Sequence, residues 1–86
     1  MPQYFTYIIF SPSHQVHYKG MTSYPEKRLW QHNNSKSRYT SGKEPWELVY
    51  LKAYPTKREA LMAEKKLKKA GKDYLLTLIK TYQENK

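Results

Sequence analysis

Cysteine is absent from the 86 residues of this chain. That excludes a disulfide framework and a thiolate metal site, and it fits a reducing compartment, so a cytoplasmic location is expected. Acidic residues are scarce, seven against sixteen lysines and arginines. No stretch is long and apolar enough to suggest a membrane span, and the N-terminus MPQYFTYIIF lacks the basic region and long apolar run of a secretory leader. Repeats, low-complexity tracts and linkers are also missing. Three glycines and five prolines punctuate the chain without dividing it, and residues 1–86 read as one small domain that buries about two-thirds of the surface its unfolded chain exposes.

What remains is charge and aromaticity. A formal net charge of +9 on so short a chain produces a potential of one sign that draws polyanions, and nucleic acid is the expected partner. Nine tyrosines, two tryptophans and two phenylalanines supply faces that can stack on bases, although core packing is the commoner use of such residues.

The pattern of elements can be read from local chemistry. YFTYIIF at 4–10 and VHY at 16–18 are β-branched and aromatic, and SPSHQ between them has turn chemistry, which predicts an antiparallel hairpin. WELVYLKAY at 46–54, bounded by prolines, reads as a third strand. Ser23-Tyr24-Pro25-Glu26 has the form of a capping box opening a helix to about Asn34. Thr56-Lys57-Arg58-Glu59 repeats the device, and Gly71 is expected to close that second helix. Leu75, Leu78, Ile79 and Tyr82 then recur at the spacing of a last amphipathic helix. The expected architecture is α+β, a small three-stranded antiparallel sheet flanked by three helices.

One residue of the second helix stands out. Ala60, Ala63 and Leu67 form its apolar stripe, and Glu64 lies inside that stripe. A carboxylate facing a core must find a cation or take up a proton. A structural ion pair with Lys68, four residues on, is one solution, and a bound metal ion is another. In the first helix Arg28 and His32 share a face, with Leu29 and Trp30 directed elsewhere. The guanidinium of Arg28 suits a phosphate. The eleven-residue loop SKSRYTSGKEP at 35–45 carries Lys36, Arg38 and Lys43, close in sequence to Lys52, and its charge suggests substrate contact.

Taken in order, these residues resemble the GIY-YIG nuclease pattern, in which two strands carry the named tripeptides and the following helix carries an arginine and a histidine. The first tripeptide falls on Phe5-Thr6-Tyr7 and the second on Tyr18-Lys19-Gly20. Arg28 and His32 fill the helix positions, and EALMAEKKLKK resembles the stretch that holds the family's metal-binding glutamate, here Glu64. The likeness runs from about Tyr4 to about Lys80 and is closest to small single-domain bacterial members. Three departures are visible. The first tripeptide keeps only its tyrosine and the second has lysine in its middle, Met21 stands where some members have a lysine that this chain must do without or replace by Lys19, and an asparagine found late in some members has no secure counterpart.

The resemblance implies a metal-dependent endonuclease acting on phosphodiester bonds, with Tyr7, Tyr18, Arg28, His32 and Glu64 as the catalytic set. Glu64 would anchor Mg2+ or Mn2+, which binds through few carboxylates, water and substrate phosphate oxygens. Arg28 would stabilise charge on the non-bridging oxygens, and Tyr7, Tyr18 or His32 would orient or deprotonate the water. Lys19, Lys36, Arg38, Lys43, Lys65 and Lys68, with Lys57, Lys66 and Lys69 nearby, would hold the nucleic-acid backbone, DNA being the expected substrate, without reading sequence. Selectivity would then come from substrate shape or from a partner protein. Two rival readings remain at this point: a non-catalytic nucleic-acid-binding module of the same fold, and a protein-interaction domain that uses its aromatic surface.

Overall fold

The computed structural model describes residues 3–85. Its elements follow the order strand β1 (Tyr4–Ser11), strand β2 (Val16–Thr22), helix α1 (Pro25–Asn33), strand β3 (Glu47–Tyr54), helix α2 (Lys57–Lys69) and helix α3 (Lys72–Glu84). The α+β architecture is the one expected. β1 is central in a sheet of order β2-β1-β3, antiparallel to both neighbours.

Because successive side chains of a strand point to opposite faces, β1 divides its contents between two layers. Ile8 packs with Val49, Leu67, Leu75 and Ile79 beneath α2 and α3. Tyr7 and Ile9 pack with Trp46, Leu29 and Tyr18 beneath α1 and the loop that follows it. β1 is therefore buried on both faces, which is why YFTYIIF carries almost no polar residue. Between Ile8 and Ile9 the pairing with β3 slips by one residue. At such a bulge two residues oppose one, and consecutive residues Val49 and Tyr50 both join the Ile8 layer.

Two local expectations need correction. Ser23 does not cap α1. The N-cap is Tyr24, with φ −136° and no side-chain cap bond, and the Tyr24 N–H is taken by Thr22 Oγ1 at 3.0 Å. The cause is Pro25, whose ring disfavours helical geometry at the preceding residue, so Tyr24 cannot be the first helical residue and proline takes that place. Nor does Gly71 close α2 in a left-handed conformation. α2 ends in extended Ala70, and Gly71, with φ −71°, is the N-cap of α3. The cap at Thr56 does form, its hydroxyl oxygen accepting from Glu59 N at 3.2 Å and donating to the Glu59 carboxylate at 3.0 Å. No helix among the described residues is long and apolar enough to cross a membrane.

Candidate active site

Tyr7 is the centre of the arrangement. Its phenol lies over Gly20 of β2, its registered partner, and a Cβ added there would sit 2.5 Å from the phenol oxygen. The second tripeptide therefore needs its glycine for close approach, not for an unusual backbone angle. The phenol oxygen is 2.9 Å from His32 Nε2, and His32 Nδ1 is 2.8 Å from Thr40 Oγ1. The Thr40 hydroxyl also faces the Ser37 carbonyl at 3.4 Å. A carbonyl only accepts, so the Thr40 oxygen is left to accept Nδ1–H, and Nε2 then accepts the O–H of Tyr7. His32 is fully buried because α1 turns both it and Leu29 toward the sheet. Leu29 thus joins the Tyr7 layer instead of pointing away as expected, while Trp30 is exposed.

Burial dominates the electrostatics. It pushes the Tyr7 phenol up to about 12, against a lowering by the adjacent Arg28 guanidinium and with smaller raising effects from Tyr18 and from the charge of Glu64. Burial, aided by the Arg28 cation, brings His32 down to about 4. The imidazole is consequently neutral at pH 7, as the bond accepted from Tyr7 requires. Above pH 6.5 neither folded nor unfolded chain protonates this ring. Below it the unfolded chain takes up a proton that the folded one refuses, and stability is lost progressively down to about pH 4. The His32 ring resonances in NMR spectra are expected not to move between pH 7.5 and 5.5. A midpoint near the ordinary histidine value would contradict the burial argument.

Arg28 and Glu64 arrive from different layers. Arg28, half-buried on α1, is steadied by Gln31 Oε1 at 3.0 Å from Nη1. Glu64 lies on α2, which crosses both β1 and β2. Both charges act on the same phenol. The Glu64 side chain is 19% exposed and meets the Lys68 ammonium at 3.7 Å. The ion pair weighed from sequence therefore exists, but it is loose and Lys68 is largely exposed, so its strength is small. Tyr18 walls the site, its ring 5.0 Å from that of His32 and 6.3 Å from that of Tyr7.

The acid set can be tested against a metal ion directly. Among the described residues no three His, Cys, Asp or Glu side chains converge, so a cation here would have few protein ligands, with Glu64 the carboxylate the family resemblance assigns to it. This donor set suits Mg2+ or Mn2+, whose remaining positions are filled by water and phosphate oxygens, and does not suit zinc, which wants several nitrogen or sulfur ligands.

The basic residues are only partly gathered. Lys36 and Arg38 are exposed on the loop, and Lys65 and Lys68 are exposed on α2. Lys43 donates to Tyr39 O at 2.8 Å with its ammonium 4.8 Å from the centre of the Tyr39 ring, and Tyr39 in turn stacks on Tyr18 at 5.5 Å. Lys19 pairs with Ile8 and so projects from the face opposite Tyr18 and Gly20; it is not beside the phenol. Sequence reasoning did not find Thr40, Gln31, Asn33 or Trp46. Asn33 and Trp46 exchange two bonds, Trp46 N–H to Asn33 Oδ1 at 2.6 Å and Asn33 Nδ2 to Trp46 O at 3.2 Å. The indole N–H donates to Thr40 O at 3.0 Å. Together they pin the loop behind His32. Only Gln31, three residues after Arg28 on one helix, had a legible signal.

A three-stranded antiparallel sheet with two strand tyrosines, a helical Arg-His pair and a glutamate from a later helix is the arrangement of a GIY-YIG protein. Residues 3–83 match the family described as the GIY-YIG catalytic domain, and the chain belongs to that family. It is similar to UPF0213 proteins of bacteria. One from Oceanobacillus iheyensis is 34% identical over 83 residues, covering 95% of this chain and 94% of the relative, and one from Staphylococcus epidermidis is 35% identical over 80 residues, covering 92% and 96%. The solution NMR structure of a UPF0213 protein from Bacillus halodurans superposes with a TM-score of 0.60 at 28% identity, covering 92% of this chain and 84% of that one.

Proposed function

We propose that this chain is a divalent-metal-dependent endonuclease that hydrolyses nucleic-acid phosphodiester bonds, DNA in particular, with little sequence preference. The observation that carries this reading is Tyr7, a single phenol bonded to a neutral imidazole and acted on at once by a guanidinium and a carboxylate. Arg28 is directed at charge developing on the non-bridging phosphate oxygens. Glu64 is the residue that would hold Mg2+ or Mn2+, which when bound would supply Lewis acidity to the reaction. Tyr7, with its pKa near 12, is a poor base by itself. Its oxygen can nevertheless accept a proton from the attacking water as it passes its own proton to His32 Nε2, so no free phenolate forms. Tyr18 closes the site and orients the water, and the exposed lysines hold the flanking backbone by charge.

The test is an assay on labelled single-stranded, nicked, branched and duplex DNA, and on matching RNA, with Mg2+, Mn2+ or chelator. Strand scission is expected with metal and should stop with chelator. Salt-sensitive binding without scission under every metal condition would instead establish the non-catalytic binding module.

A further inference from the structure

On the sheet face away from Tyr7 there is a cleft of about 400 Å³ between β3, α2 and α3. Its floor includes Thr6, which is fully buried and whose hydroxyl oxygen has no hydrogen-bond partner among the described residues. That hydroxyl is sealed beneath the cleft floor, so it carries a stability cost and offers no contact to a ligand. The walls are aromatic and basic. Tyr50, Lys52 and Tyr54 alternate along β3, facing α2 and α3, and Lys66 and Tyr74 close the cleft from the helices. Tyr50, Tyr54 and Tyr74 all line the cleft, and burial, then Tyr54 and Tyr74, raise the pKa of Tyr50. The Lys52 ammonium lies 5.4 Å from the centre of the Tyr54 ring. Glu59 stands at the rim, its carboxylate engaged by Thr56.

We propose that this cleft is a nucleotide-binding site, separate from the cleavage centre, that takes one unpaired base with its phosphate. The volume suits a small ligand. Tyrosine faces accept any base by stacking, and Lys52 and Lys66 are the cations that receive the phosphate. None of the residues that surround Tyr7's phenol lines the cleft, so the proposal stands whether or not the chain cleaves nucleic acid.

The test is a titration of the full chain with a 5′-mononucleotide, the corresponding nucleoside and inorganic phosphate, followed by amide NMR shifts. The mononucleotide is expected to bind saturably and to move the signals of Thr6, Lys52, Ala63 and Tyr74. Tyr74→Ala, an exposed substitution, should weaken binding about tenfold. Thr6→Val should leave binding unchanged while raising the melting temperature of the free protein, because it removes the unpartnered hydroxyl without changing shape. Equal shifts from inorganic phosphate alone, shifts centred on Tyr18 and Arg28, no saturation, or a Tyr74→Ala protein that binds unchanged would each overturn the proposal.

Discussion

Arg28→Ala is expected to lower the cleavage rate by about 10²–10³, the range for loss of one positioned charge-stabilising donor, while leaving the fold intact. Glu64→Ala should reduce cleavage at least as much, yet keep nucleic-acid binding within a few-fold, because many exposed lysines hold the backbone and one carboxylate opposes them. The arginine variant also has a readout independent of activity. Arg28 helps to depress His32, so its removal must raise the imidazole pKa from about 4 toward the ordinary value, visible in the same NMR titration. Scission that survives Glu64→Ala would show that the anchor for the metal lies elsewhere. An unmoved His32 in Arg28→Ala would show that the guanidinium is not beside the site in solution.

Gly20→Ala is expected to be the most damaging one-carbon change in the chain. The added methyl would lie 2.5 Å from the Tyr7 oxygen and 2.7 Å from its Cζ, and the ring cannot swing away because Tyr18 and His32 flank it. Overpacking of this kind costs about 1–3 kcal/mol, and each kcal/mol lowers the melting temperature of a domain this size by roughly 4–8 °C. Cleavage should fall further than the unfolded fraction accounts for, since the phenol can only yield by lengthening its bond to His32. Gly71→Ala is the matched control. A Cβ there meets nothing within 4 Å, and its φ of −71° suits any residue, so no overpacking is expected and the cost is limited to a poorer N-cap for α3, about 1 kcal/mol or less. Thermal melts and single-turnover rates of the two variants measure the contrast, and equal melts would remove the close-approach argument.

These variants also show where the sequence was informative. The hairpin, the third strand and the last helix were legible because their periodicity is set by burial. The two Ser/Thr-x-x-Glu segments look alike, yet only Thr56 caps a helix. Pro25 shifts the frame by one residue in the other, a constraint from the following residue that the pattern leaves out. The ordered Tyr, Tyr-x-Gly, Arg, His and Glu pointed to the family, and His32, unexceptional as a lone helical histidine, is buried with both ring nitrogens bonded. Thr40 was invisible. Nothing in SRYTSGKEP distinguishes the threonine that holds an imidazole from its neighbours, because that role depends on how the loop returns under Trp46, a tertiary event with no local signature. Glu64 was noticed as an acid in an apolar stripe, but its influence on Tyr7 depends on α2 crossing β2, which no spacing records.

The loop between α1 and β3 divides its labour by direction. Thr40 and Trp46 point inward and fix the imidazole, whereas Lys36, Arg38 and Tyr39 are exposed. Randomised libraries confined to the outward set should therefore keep the Tyr7–His32–Thr40 hydrogen bonds intact, whereas any library that includes position 40 or 46 should mostly lose them.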